Sequence, residues 1–191
     1  MDATGRVKGA ILLARMSYVR GMGTSTAARV LERIPARDRE LLDGLLLQPS
    51  FWYPSDVLRR LDDAVATEVA HGDRASVLLD MGQFSADHNF GPNGTLHPWL
   101  RESDPHALLR EVPRIHASLF GSGERTYDRL GERSAAIRAL EGDGHEGDDC
   151  LTSVGWLRRA IELCGGRDVE VIETACRGRG GRCCEFRCDW R

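Results

Sequence analysis

No cysteine occurs in the first 149 residues. All six, Cys150, Cys164, Cys176, Cys183, Cys184 and Cys188, fall in the last 42. Lysine is nearly missing too: Lys8 is the only one, so the other basic side chains are arginines. There is no excess of one charge, because 26 basic and 29 acidic residues leave a net charge of −3. A domain built on phosphate contacts carries a basic excess, so the arginines read as a solvated surface and nucleic acid is not an expected partner. No apolar run approaches the roughly 18–20 residues that span a bilayer. The longest runs, Ala10–Ala14 and Leu45–Leu47, are far shorter, and Arg15 interrupts the first before a signal-peptide core can form. The expected setting is cytoplasmic, with no membrane association. In that setting clustered cysteines are metal ligands or free thiols rather than disulfides.

What is present is an ordinary globular balance. The chain has 191 residues, 41% hydrophobic and 29% charged, which is enough for one domain with a real core. Residues 1–122 read as mainly helical. Apolar positions recur at helical spacing from Val7 to Tyr18, and Gly21 and Gly23 close that segment. Thr24 or Ser25 caps a second helix that Pro35 ends. A third runs from Asp38 to Leu47 with Leu41, Leu42, Leu45 and Leu46 on one stripe. After the aromatic run Phe51-Trp52-Tyr53, Ser55 caps a helix to about Val69, and Ala75 to Asn89 forms another. Asp104 starts a further helix containing Pro113.

Residues 123–191 change character. Tyr127–Leu130 and Ser134–Leu140 read as two strands around Gly131. The polar loop Gly142–Asp149 lacks the acid spacing of a calcium loop. Cys150–Leu163 is helical and stops at Gly165-Gly166. Val169–Cys176 and Cys183–Trp190 then form a hairpin around Arg177–Gly181. The expected fold class is α+β: a helical N-terminal part packed on a small antiparallel sheet, ending in a β-hairpin tied by zinc.

The zinc expectation begins with the hairpin. Strand alternation puts Cys184, Phe186, Cys188 and Trp190 on one face and Cys183 on the other, so Cys183 and Cys184 cannot share one ion without distortion. Cys176 and Cys184 sit across the base of the hairpin, which is the arrangement of a zinc knuckle. Glu173, upstream on the same hairpin, and Cys150, from the preceding helix, are candidates for the remaining positions.

Cys150, Gly155-Trp156, Gly166-Arg167, Glu173, Cys176, Gly180 and Cys184-Glu185-Phe186 resemble the C-terminal signature of the 4-vinyl-reductase-type domain. That small-molecule-binding domain is related to the heme-NO-binding fold and to small subunits of the TRAPP tethering complex. It is also the sensor of aromatic-responsive transcriptional activators. The resemblance covers about the last 40 residues and implies a structural zinc on Cys150, Cys176 and Cys184, with Glu173 fourth. The extra Cys188 leaves it as an alternative to Glu173. Over most of its length the chain also looks like a myxobacterial paralogous family, through Val7-Lys8-Gly9, Tyr18-Val19-Arg20, Trp52-Tyr53-Pro54, Asp104-Pro105-His106 and Cys184–Trp190.

A heme-binding relative would need a proximal histidine on a helix in an apolar pocket. His106, beside Asp104-Pro105, reads as exposed, and His116 as a satisfied core residue. The aromatics Phe51, Trp52, Tyr53, Trp99 and Trp156 read as core or dimer interface. The function expected is a non-enzymatic sensor or regulatory module that binds a small apolar ligand. It would act through a protein partner or as a homodimer. A ligand-free scaffold is the second reading. A tetrapyrrole vinyl reductase is the third, and no flavin or nicotinamide fingerprint supports it.

Overall fold

The computed structural model describes residues 5–43, 47–100, 103–141 and 149–191. Arg6–Lys8 (β1) pairs antiparallel with Trp52–Pro54 (β2), Val7 opposite Tyr53. The sequence reading carried Val7 into the first helix and left Trp52–Pro54 unpaired. Three-residue strands hold too few residues for a period to show, and Lys8 is extended, so helix α1 (Gly9–Gly21) begins after it.

Four more helices follow: α2 (Thr24–Glu32), α3 (Ala36–Asp43), α4 (Ser55–Val69) and α5 (Arg74–Phe90). The third helix was expected to reach Leu47; Leu45 and Leu46 lie outside the described residues. Thr24 and Ser55 were expected as caps. Each is instead the first helical residue, with Gly23 and Pro54 at the cap position and no side-chain bond. Ser55 is held another way, since its N–H donates to the Gly5 carbonyl at 2.9 Å. Asp73 does cap α5, accepting from Ser76 N–H at 3.0 Å. Asp104 caps α6 (Pro105–Leu119) through Ala107 N–H at 2.9 Å, with Pro105 in the first turn.

The second sheet has four antiparallel strands: β3 (Glu124–Gly131), β4 (Ser134–Glu141), β5 (Glu170–Ala175) and β6 (Cys184–Asp189). Their order is β3-β4-β6-β5. Helix α7 (Asp149–Leu163) connects β4 to β5. Ala135, Ile137 and Ala139 stand opposite Cys188, Phe186 and Cys184, and all six are buried. The other face is wet and charged: Arg138 pairs with both Asp128 and Glu185, and Thr174 Oγ1 donates to Glu185 at 2.8 Å. A sheet with one apolar and one polar face buries only the first.

Helix α7 covers the apolar face with Leu157 and Ile161, both buried. Helix α5 then packs on α7 backbone to backbone. A Cβ on Gly82 would overlap the Thr152 carbonyl, and one on Gly155 would overlap the Leu79 carbonyl. Side chains at either place would force the helices apart. No helix among the described residues is long and apolar enough to cross a membrane. The loop 142–148, considered above as a calcium loop, lies outside the described residues.

Candidate functional site

A cavity of about 180 Å³ lies between the helical layer and the sheet. Its apolar wall comes from Leu58 on α4, Val112, Ile115 and Leu119 on α6, Ile137 on β4, Trp156 on α7 and Phe186 on β6. Its polar wall has two parts of different character.

The first part is closed. Arg15 Nε donates to Asp62 Oδ1 at 2.7 Å, and Nη1 donates to the Met81 carbonyl at 3.0 Å and to Ser85 Oγ. Arg15 and Asp62 are 5% and 6% exposed. A buried ion pair is best tolerated where further hydrogen bonds share its charges, and here Arg15 donates to two acceptors besides Asp62. Sequence reasoning missed this network. Arg15 counted only as a break in an apolar run, although a lone arginine amid buried helix positions needs an acid across the core, and Asp62 on the apolar stripe of α4 was that signal.

The second part is open. His116 is 7% exposed, and its ring lies flat on Phe120 with centroids 4.7 Å apart and planes 10° from parallel. Burial, and then the Arg125 guanidinium, push its pKa down to about 3, so the imidazole is neutral at neutral pH. Its Nε2 is buried and has no hydrogen-bond partner. Asn89, 2% exposed, likewise has no partner for Nδ2. The expectation of a satisfied core histidine is therefore corrected for His116. It is His106 that is satisfied, and the expectation that it is exposed is corrected as well. His106 Nε2 donates to the Glu132 and Gly131 carbonyls at 2.8 and 3.1 Å, and Nδ1 accepts from Tyr127 O–H at 2.8 Å. It is buried against Trp190 and pins α6 to the β3–β4 turn. Of the aromatics, Phe51 and Trp52 are exposed, Tyr53 is buried, and Trp156 faces the cavity.

A cluster of soft donors abuts the cavity. Cys150, Glu173, Cys176 and Cys184 offer ligand atoms that all lie within 4.8 Å of one another. Cys150 Sγ is 3.5 Å from Cys184 Sγ and 3.9 Å from Cys176 Sγ. Plain alternation would set Glu173 and Cys176 on opposite faces of β5, but the register slips between Glu173 and Ala175. A bulge of this kind re-aims side chains. Glu173 Oε2 accepts from Arg179 Nη2 at 2.9 Å, while Oε1 is buried without a hydrogen bond. The Arg177 backbone N–H points at Cys184 Sγ, 3.4 Å away. Burial, with the neighbouring Glu173 and Cys184, drives the Cys150 thiol pKa up. Cys164 and Cys188 are buried outside this cluster and Cys183 is half-buried. Burial raises the Cys188 thiol pKa to about 12. Cys150 and Cys184 belong to both sites, since each also lines the cavity.

No protein-family model and no curated protein matches the chain. Solved structures do match, H-NOX proteins among them. The S. oneidensis protein in its Fe(II)NO state is 16% identical with a TM-score of 0.73, covering 96% of this chain and 99% of its own. Unliganded Fe(II) H-NOX from K. algicida is 11% identical, TM-score 0.67, covering 96% of each chain. A mutant H-NOX from T. tengcongensis is 11% identical, TM-score 0.68, covering 96% of this chain and 97% of its own. The fold is thus an H-NOX-like one over nearly the whole chain. This corrects the expected 4-vinyl-reductase-type relationship, which rested on a short C-terminal signature. It also corrects the expected zinc cofactor: the proteins that share the fold are described by Fe(II) ligation states and heme, and zinc is not carried over to this chain.

Heme does not fit the residues present either. The cavity, about 180 Å³, falls below the roughly 300–1,000 Å³ that drug-sized ligands occupy, and a porphyrin is at least that large. His116 is the one histidine among the described lining residues, and its ring is stacked flat on Phe120.

Proposed function

We propose that the chain is one non-enzymatic domain spanning residues 1–191 that senses a small, largely apolar molecule held between its helical layer and its sheet. The cavity carries this reading: apolar walls with two buried polar atoms, Asn89 Nδ2 and His116 Nε2, that no protein group satisfies. Leaving a buried polar group unmet costs on the order of 1–3 kcal/mol, and a bound molecule removes that cost. An engineered cavity of about 150 Å³ takes up benzene, so a single-ring molecule suits the 180 Å³ found here. The ligand shifts the packing of the two layers only by its differential affinity for two arrangements. The signal then passes to a protein partner or to a second copy of the chain. A reducing, cytoplasmic setting keeps the buried thiols available.

The test is calorimetric titration and thermal unfolding with toluene, phenol, benzamide and benzoate. At about 100 times Kd a ligand adds roughly 2.7 kcal/mol, which raises the melting temperature by about 5–10 °C for a chain of this size. Val112→Phe, which fills the cavity, abolishes the shift without lowering stability. If no molecule of the panel moves the wild type, the reading fails.

We propose also that Cys150, Glu173, Cys176 and Cys184 hold one thiophilic metal ion, tying α7 to the β5–β6 hairpin. Metal–thiolate bonds of about 2.3 Å in a tetrahedron set sulfurs about 3.8 Å apart, against the 3.5 and 3.9 Å seen here. The unmet Glu173 Oε1 and the N–H directed at Cys184 support the same reading, as partners that orient ligands do at metal sites. Elemental analysis of untagged protein is expected to give one metal ion per chain, lost in Cys176→Ser. Well-folded wild type without metal would overturn it.

A further inference from the structure

We propose that the cavity selects a small aromatic carboxylate over neutral molecules of the same shape. The inference rests on the ligand-sensing reading above and adds the chemical class of the ligand. It follows from the imbalance of donors and acceptors on the walls.

Three arginines, Arg15, Arg125 and Arg177, line the cavity, against one acidic residue, Asp62. Asp62 is committed to Arg15 at 2.7 Å. A guanidinium carries five N–H donors in a planar fork, so Arg125 and Arg177 can keep protein partners and still meet a ligand oxygen. Asn89 adds an unmet amide nitrogen, and His116 an unmet ring nitrogen that donates in the Nε2–H tautomer. The polar side chains of the lining are thus richer in donors than in acceptor-only groups. An acceptor-only head group with two oxygens answers these donors, and Arg–carboxylate forks are among the stronger, more directional hydrogen bonds. A buried carboxylate is tolerated only where such donors meet it. Trp156 and Phe186 supply faces for a ring. A neutral apolar guest would leave the donors unmet.

The experiment compares benzoate with benzamide, its neutral isostere, and with toluene, by calorimetric titration of wild type, Arg125→Gln and Asn89→Leu. Benzoate is expected to bind wild type at least about tenfold more tightly than benzamide, the effect of one charge-assisted contact. Arg125→Gln and Asn89→Leu are each expected to remove most of that preference. Benzamide or toluene binding as tightly as benzoate would overturn this inference and leave the sensing reading standing. Loss of binding by all three would overturn both. The wild-type comparison needs no variant, so poor folding of a variant does not remove the test.

Discussion

The two polar walls of the cavity handle burial in opposite ways. In one part the Arg15 guanidinium ties together Asp62, Ser85 and the Met81 carbonyl. Elsewhere on the wall Asn89 Nδ2 and His116 Nε2 stay unmet, and beside the cavity Cys150, Cys176, Cys184 and Glu173 gather, with Glu173 Oε2 paired to Arg179 and Oε1 unmet. A closed network specifies the packing of α1, α4 and α5. An open one is complete only with something added. The contrast separates groups that hold the domain together from groups that the proposed ligand would complete.

Substitutions on the two walls should therefore differ in sign as well as size. Asp62→Ala strands the Arg15 charge and is expected to cost about 3–5 kcal/mol, lowering the melting temperature by roughly 10 °C in a thermal scan. Asn89→Leu removes an unmet polar atom and is expected to be neutral or slightly stabilising. An equal loss from both would erase the distinction. Between these lies Gly155→Ala, which meets the Leu79 carbonyl and should cost about 1–3 kcal/mol in denaturant unfolding.

His116 gives the open wall a pH signature. Its pKa is lowered to about 3 in the folded chain from about 6.5 in a free side chain. The unfolded state therefore binds the proton first as pH falls, and stability is lost between about pH 6.5 and 3. The slope from this group is at most about 1.4 kcal/mol per pH unit. Unfolding midpoints of wild type and His116→Leu across that range should diverge accordingly; parallel curves would contradict the burial described here. The smallest effect expected is a null one. Heme added to the purified chain should give no stoichiometric complex by absorption spectroscopy, whereas a tight one-to-one complex would show that the cavity opens further than its walls suggest.

Much of the fold was legible because its elements are long and periodic. Helices α4 and α5, the hairpin β3–β4, helix α7 and the alternation of β6 follow from spacing alone. The β1–β2 pair did not, because three residues carry no period. The three cysteines and Glu173 were singled out from hairpin spacing and a family resemblance, but that Glu173 rather than Cys188 lies beside them depends on a register slip that strand alternation does not contain. The cavity was the least legible part. Its walls come from five helices and three strands far apart in sequence, and Arg15, Asp62 and Asn89 look ordinary until the fold assembles them. His106, and not His116, is the satisfied core histidine for the same reason: which of two buried histidines on one helix meets a carbonyl is decided by the β3–β4 turn across from it.

The central claim is that a guest sits between the two layers. Methyl NMR during titration with benzoate tests it most directly. The account predicts shifts concentrated at Leu58, Ile115, Ile137 and Leu157, which line the cavity, and abolished by Val112→Phe. Shifts confined to the exposed Leu130 and Ile172, or unchanged in that variant, would contradict it.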